Sequence, residues 1–319
     1  MSILSNYVIY SSGKQTTTRR RQTTDNRLLS IAYGQSAQCR IGANGGDNNR
    51  KVREESTVLT QEQINFYNEN GYLHIPQIFS KAEMDELSDE MDRLVEEWAF
   101  TSPGWSGPWR HAYMDPETEK KSKLTAMHDL HFYSSAWCRA VTHPRLVEAM
   151  SDLLGPNVEL HHSTMHIKPP QTGHPFPMHQ DNPFYHHSDG RYVDVLVHLD
   201  DTSHANGEIR FLAGSHKAGA LPHIIKTEAG PCTPHLPFEV YKLEETVPAP
   251  AKRGDVVVFN IFTVHGSYIN TTKQPRRLVR VGYRDPQNVQ LKGQSFGRGG
   301  LMVKGYRHRR EGQALIKQD

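Results

Sequence analysis

Cysteine is scarce in this chain. Cys39, Cys138 and Cys232 are the only three in 319 residues, too few and too scattered for a disulfide framework or a cysteine-based zinc site. A reducing compartment is the expected home. Long apolar runs are missing too: none approaches the ~18 residues of a membrane span, and no secretory apolar core follows the start. An intracellular, cytoplasmic protein without a membrane span is expected. A charge excess of one sign is also lacking. The net charge is +2, and Met1 to Gly46 carries six Lys/Arg against Asp25 alone, which leaves 31 basic and 34 acidic residues beyond it. A slightly acidic body excludes the basic footprint of a nucleic-acid partner.

What is present is Gly and Pro, 24 and 19 residues, a composition that favours many short elements separated by turns. Residues 1–56 are rich in Ser, Thr, Gln, Asn, Gly and Arg without amphipathic periodicity. Such a segment buries too little to stay ordered, so residues 1–56 are expected to be a disordered or targeting extension, with organellar targeting by residues 1–46 as one reading, and residues 57–319 the functional domain.

That domain opens with a helix capped by Thr60, with Ile64, Phe66 and Tyr67 in its apolar stripe, and stopped at Asn70-Gly71. A strand over Tyr72 to Ile75 follows. Ser80 caps a second helix carrying Met84, Leu87, Met91, Leu94 and Val95 at helical spacing, and a third covers His143 to Leu154. From residue 158 the pattern turns to strands: Val193 to Leu199, Glu208 to Leu212, Asp255 to Phe259 and Leu278 to Tyr283. Helices first and short strands after them predict an α+β fold whose second half is a sandwich or jelly roll.

Histidine is plentiful, at 19, and the stretch Phe176 to Asp201 holds His-x-Asp three times: His179/Asp181, His187/Asp189 and His198/Asp200. Chance supplies roughly one such pair, so the pattern alone is weak. Two histidines and one carboxylate can hold Fe(II) on one face and leave the other positions open. Two ligands two residues apart can come from one strand end, because alternate side chains share a face.

The segments GHPFPMHQDNPFY, LDDTSHANGEIRFLAGSHKAG and KRGDVVVFNIFTVHGSYINTTKQPRRLVRVGY together resemble the phytanoyl-CoA dioxygenase family of Fe(II)/2-oxoglutarate oxygenases. The likeness runs from about Leu59 to Asp285. It implies a double-stranded β-helix, cupin-like, with N-terminal helices packed on the barrel. It implies His179, Asp181 and His265 as ligands of Fe(II), with 2-oxoglutarate and O2 as cosubstrates. Lys168-Pro169-Pro170 leads into the first pair as in the family, and His265-Gly266-Ser267 supplies the second histidine.

The same resemblance places the 2-oxoglutarate anchor at Arg276, with Ser267 and Met165 beside the cosubstrate. Arg277 is the competitor, and strand alternation allows only one of the two to reach a cavity. Leu196 stands where many relatives carry Trp, and Ala126 where some carry Lys. Asp181 replaces the small residue of halogenating relatives, so the expected outcome is hydroxylation of a small organic substrate, an acyl-CoA or other metabolite, with release of succinate and CO2.

His187/Asp189 reads as a solvated turn, His198/Asp200 as a strand exit, and His216 as a packing or hydrogen-bonding residue. Trp105, Trp109 and Tyr113 are candidates to cover the substrate, and the basic cluster Arg298, Lys304, Arg307, His308, Arg309 and Arg310 is a candidate for a CoA phosphate or a solvated tail. Two alternatives belong to other classes: a catalytically silent jelly-roll protein binding metal or 2-oxoglutarate, and a zinc or manganese cupin-like hydrolase or isomerase. A monomer is the expected state.

Overall fold

The computed structural model describes residues 57–309. The extension expected over residues 1–56 lies outside the described residues, as does Arg310. Thr60 caps α1 (Gln61–Asn70), and Gln63 reaches back to complete a capping box, while Gly71 ends the helix at φ 81°, a value glycine adopts without strain. Tyr67 is buried and Ile64 packs against the same core, but Phe66 is exposed and leaves the expected stripe. β1 (Tyr72–Ile75) follows, then α2 (Lys81–Glu97), capped by Ser80 and Glu83 in the same manner. A short strand β2 (Phe100–Ser102), two short helices α3 (Arg110–Tyr113) and α4 (Pro116–Lys121), and β3 (Leu124–His128) lead to α5 (Ser135–Val141) and α6 (Pro144–Leu154).

The β-rich half comprises β4 (Val158–Lys168), β5 (Phe176–His179), β6 (Tyr192–His198), β7 (Ile209–Phe211), β8 (Ile224–Thr227), β9 (Gly230–His235), β10 (Val247–Pro248), β11 (Val256–Asn260), β12 (His265–Ser267), β13 (Arg276–Arg284) and β14 (Leu301–Lys304). The large sheet runs β1-β11-β6-β13-β4-β3-β2, with β14 also on β4. The smaller sheet runs β10-β7-β12-β5, and β8-β9 is a separate hairpin. The strand pairings of both sheets are antiparallel.

Strand alternation assigns the two faces of the large sheet. Val193, Val195 and Val197 of β6, Val279 and Val281 of β13, and Met165 and Ile167 of β4 join Met84, Leu87, Met91 and Leu94 of α2 in one core. Burying such side chains stabilises the fold by roughly 1.5–3 kcal/mol each. The opposite face carries Leu196 and Leu278 and meets Phe211 of the smaller sheet. The functional chamber opens on that inner face. Among the described residues no helix is long and apolar enough to cross a membrane.

Candidate active site

β5 and β12 are neighbours in the smaller sheet, and their register sets His265 opposite His179. Asp181 follows two residues after His179, at the start of a tight turn over Asn182–Phe184. The three offer ligand atoms that all lie within 4.8 Å of one another. His179 Nδ1–H donates to the Pro177 carbonyl at 2.7 Å, and His265 Nδ1–H donates to that of Thr263 at 2.9 Å. A carbonyl can only accept, so each ring keeps its Nε2 lone pair free. Those Nε2 atoms lie 3.5 and 3.9 Å from Asp181 Oδ1.

Asp181 Oδ1 is buried and has no hydrogen-bond partner, whereas Oδ2 accepts from Arg280 Nη1 at 2.9 Å. A buried carboxylate oxygen facing two imidazole lone pairs is costly unless a cation joins them. Burial, the largest single influence, pushes the Asp181 carboxyl up, but Arg280, His179 and His265 together outweigh it and hold the group well below the usual carboxylate range. Burial, then the neighbouring His179, brings His265 down to about 3. A neutral His265 and an ionised carboxylate are the forms a divalent cation needs. With two imidazoles and one carboxylate on one side, the donor set suits Fe(II) with open positions.

The trio forms one wall of a cavity that Arg276, Ser267, Leu196, Ile209, Phe259 and Leu278 also line. Arg276, Leu278 and Arg280 are alternate residues of β13 and all face it. Arg277 points the other way, bonded to Asp200 at 2.8 Å and Asp92 at 3.1 Å. Burial lowers the Arg276 guanidinium to about 10, which leaves it charged at neutral pH, and its Nε has no hydrogen-bond partner. Lys168 stands opposite Arg276 across β4 and β13. Its Nζ donates to Ser267 Oγ at 2.7 Å and to the Tyr268 carbonyl. Burial, then Arg276, pushes the Lys168 ammonium well below its ordinary value. Two basic side chains thus stand opposite each other, Arg276 on the cavity wall and Lys168 behind the lining residue Ser267, and neither is bonded to a carboxylate among the described residues.

Residues 67–278 match the family model described as phytanoyl-CoA dioxygenase. The chain belongs to the phytanoyl-CoA dioxygenase family. It is therefore an Fe(II)- and 2-oxoglutarate-dependent oxygenase of that type, with O2 as the second cosubstrate. It is 28% identical over 226 residues to a probable alpha-ketoglutarate-dependent hypophosphite dioxygenase of Stutzerimonas stutzeri, covering 70% of this chain and 77% of that protein. It is also 28% identical over 259 residues to an ectoine dioxygenase of Bordetella parapertussis, covering 73% and 77%. In fold it resembles the carbocyclase SnoK from nogalamycin biosynthesis (TM-score 0.62, 20% identity, 79% of this chain and 96% of that one). EctD from S. alaskensis, solved with 2-oxoglutarate and 5-hydroxyectoine, resembles it similarly (TM-score 0.57, 24% identity, 76% and 83%). The cupin-like jelly roll expected from the family motifs is the fold observed.

One residue expected beside the cosubstrate is displaced. Met165 is buried in the core between the large sheet and the helices, and its neighbour His166 lines the cavity instead. The cause is the two-residue period of β4: the register that turns His166 and Lys168 inward turns Met165 outward. Ser267 does line the cavity.

The other His-x-Asp pairs stand apart from the trio. His187 is buried, not solvated as a turn histidine would be: its Nδ1–H donates to the Tyr185 carbonyl and its Nε2 accepts from Arg284 at 3.1 Å. Asp200 accepts from the Arg277 backbone N–H at 2.8 Å, as a strand-exit Asp does. His216 Nε2–H donates to the Asn68 carbonyl at the end of α1. Of the three loop aromatics, Trp105 lines the cavity and meets the His179 ring edge-on at 4.7 Å, while Trp109 is fully buried against His174 and Tyr113. In the basic cluster Arg298, Lys304 and Arg307 are each bonded to an acid, Asp129, Glu148 and Glu159.

Sequence reading did not single out Lys168 or Arg280 as functional. Lys168 served only as a landmark before the metal pair. Strand alternation, which puts Arg280 on the same face as Arg276, is the signal that could have found it. Arg280 also contacts His162 Nε2 at 3.3 Å, and His162 Nδ1 meets His161 Nδ1 at 2.8 Å. A hydrogen-bonded string of side chains therefore backs the guanidinium that orients Asp181.

Proposed function

We propose that the chain hydroxylates a small organic substrate, incorporating one oxygen atom of O2 into a C–H bond and the other into succinate as 2-oxoglutarate loses CO2. His179, Asp181 and His265 hold the Fe(II) in this reading. Arg276 pairs with the distal carboxylate of 2-oxoglutarate, and Lys168 and Ser267 bind beside it. The carrying observation is that an unpartnered buried carboxylate oxygen between two imidazoles and a buried, unpartnered guanidinium open on one cavity. A dicarboxylate chelating the metal at its keto-acid end would satisfy both.

The iron, when bound, supplies the oxygen activation and oxidative decarboxylation. The chain's own groups set its conditions. Both histidines are fixed in their tautomer by backbone carbonyls, Arg280 keeps Asp181 ionised and aimed, and Phe176, Leu196, Phe259 and Leu278 exclude water from the chamber.

The test is anaerobic titration with Fe(II) and 2-oxoglutarate. A metal-to-ligand charge-transfer band should form, vanish in His179→Ala, and be matched under O2 by succinate release. Activity sustained by Zn(II) and not by Fe(II) would turn the reading to a hydrolase.

A further inference from the structure

Beside the iron chamber lies a second pocket, open to solvent, with room of about 170 Å³. The two share three wall residues, Trp105, His166 and Arg280. Phe100, Leu124, Ala126 and Phe184 add apolar surface to the second, and Ser102, His128, Thr164 and Gln294 add neutral polar groups. Arg280 is the one charged lining residue, and its guanidinium is already bonded to Asp181 at 2.9 Å and to His162. The mouth is open at the exposed Phe100, His128 and Gln294. A carboxylate, phosphate or ammonium pressed to the inner end beside Trp105 and His166 would lose water and find only a guanidinium whose charge Asp181 already offsets, its Nε alone lacking a partner.

The exposed Gln294 side chain makes no hydrogen bond among the described residues, and among the polar groups that are not exposed His166 is the exception. His128 Nδ1 bonds Thr164 Oγ1 at 3.2 Å and Ser102 Oγ accepts from the Gly104 N–H at 3.2 Å, but His166 makes only a ring contact with Phe176, at 5.5 Å. No hydrogen bond to either of its ring nitrogens is found among the described residues. Burial, then Arg280, keeps this imidazole uncharged. A neutral imidazole offers one donor and one acceptor, a match for a hydroxyl or carbonyl.

We propose that this second cavity is the substrate chamber and that it takes an uncharged organic molecule whose hydroxyl or carbonyl is hydrogen-bonded by His166, its carbon skeleton lying against Trp105 and Phe184. The proposal rests on the oxygenase reading above. Its consequence is that a substrate whose charged group must reach the inner end of the chamber, such as an amino-acid-like zwitterion, is excluded by desolvation, not by size.

The experiment uses the Fe(II)·2-oxoglutarate complex under anaerobic conditions, with the charge-transfer band as the reporter. Four probes of one shape are added: 2-phenylethanol, 2-phenylethylammonium, phenylacetate and ethylbenzene. The alcohol should shift the band and saturate at least about tenfold more tightly than either ion. His166→Leu should weaken the alcohol about tenfold and leave ethylbenzene unchanged, and His166→Asn should recover part of the loss. Binding of either ion as tightly as the alcohol overturns the proposal, as does failure of the alcohol to bind at tens of millimolar. An alcohol affinity indifferent to His166→Leu overturns it as well. Failure of the band to form in the unmodified protein is a different result, which sinks the oxygenase reading and the chamber with it.

Discussion

Arg276 and Lys168 face each other across adjacent antiparallel strands, and neither makes an ion pair with any described residue. Their neighbour Arg277, one residue along, is held by Asp200 and Asp92 on the opposite side of the sheet. Buried basic groups without counter-charges destabilise a fold unless a ligand supplies the anion. Arg276 and Lys168 are thus left to an incoming anion, while Arg277 is not.

Arg276→Met should weaken 2-oxoglutarate binding about 100-fold, the loss of a charge-assisted pair worth roughly 1.5–3 kcal/mol. Arg276→Lys should recover only part of it, because an ammonium lacks the planar fork. Arg277→Ala should leave 2-oxoglutarate affinity within a few-fold and lower stability by about 1 kcal/mol. Calorimetric titration of the Fe(II)-loaded variants separates the two. An equal loss from both would refute the assignment.

Lys168 should make cosubstrate binding pH-dependent. Burial and Arg276 push its ammonium down, so the free protein gives up that proton more readily than an exposed lysine does, and an arriving dianion restores it. Binding of 2-oxoglutarate should therefore take up a proton and weaken as pH rises through the free-state value. Titrations in buffers of different ionisation enthalpy measure the uptake. Lys168→Met should abolish it and weaken binding about tenfold.

Stability should fall on the acid side of neutrality. Burial, foremost, brings His161 to about 3 and His187, His198 and His223 to about 4. A histidine depressed in the folded state binds its proton more readily when unfolded, so its stabilisation is complete above about pH 6.5 and is lost as pH falls toward 4. Urea midpoints of the metal-free protein should decline from pH 7 to pH 5. His198→Leu should flatten that slope, and a midpoint unchanged over this range would contradict the burial of these rings.

Trp105 stands edge-on to His179 at 4.7 Å. Metal binding at the trio should quench its fluorescence, and Trp105→Phe should remove most of the change while leaving Fe(II) affinity within a few-fold. Undiminished quenching in the variant would place the metal elsewhere.

Local chemistry made much of this legible in the chain. The capping boxes at Thr60 and Ser80 predict the helix starts observed, because cap and backbone lie within three residues of each other. The strand runs near Val193, Val256 and Leu278 are visible from apolar alternation alone. Short elements with little pattern of their own, such as α5, the β8-β9 hairpin and β12, escape such a reading, since neighbours in space stabilise them. His179, Asp181 and His265 were singled out by motif order, and the structure brings those three together.

The amino-acid sequence by itself determined the longer helices and strands, because capping and alternation are local properties, and its family resemblance pointed to the jelly-roll class and to three side chains suited to iron. Only the tertiary structure decided which face each residue takes. The register of β13 against β4 turned Arg276 inward and Arg277 outward, brought Lys168 opposite Arg276, and sent Met165 to the core while leaving His166 on the chamber wall. A slip of one residue would reverse every one of those assignments, and no spacing along a single strand reveals which register its neighbours impose.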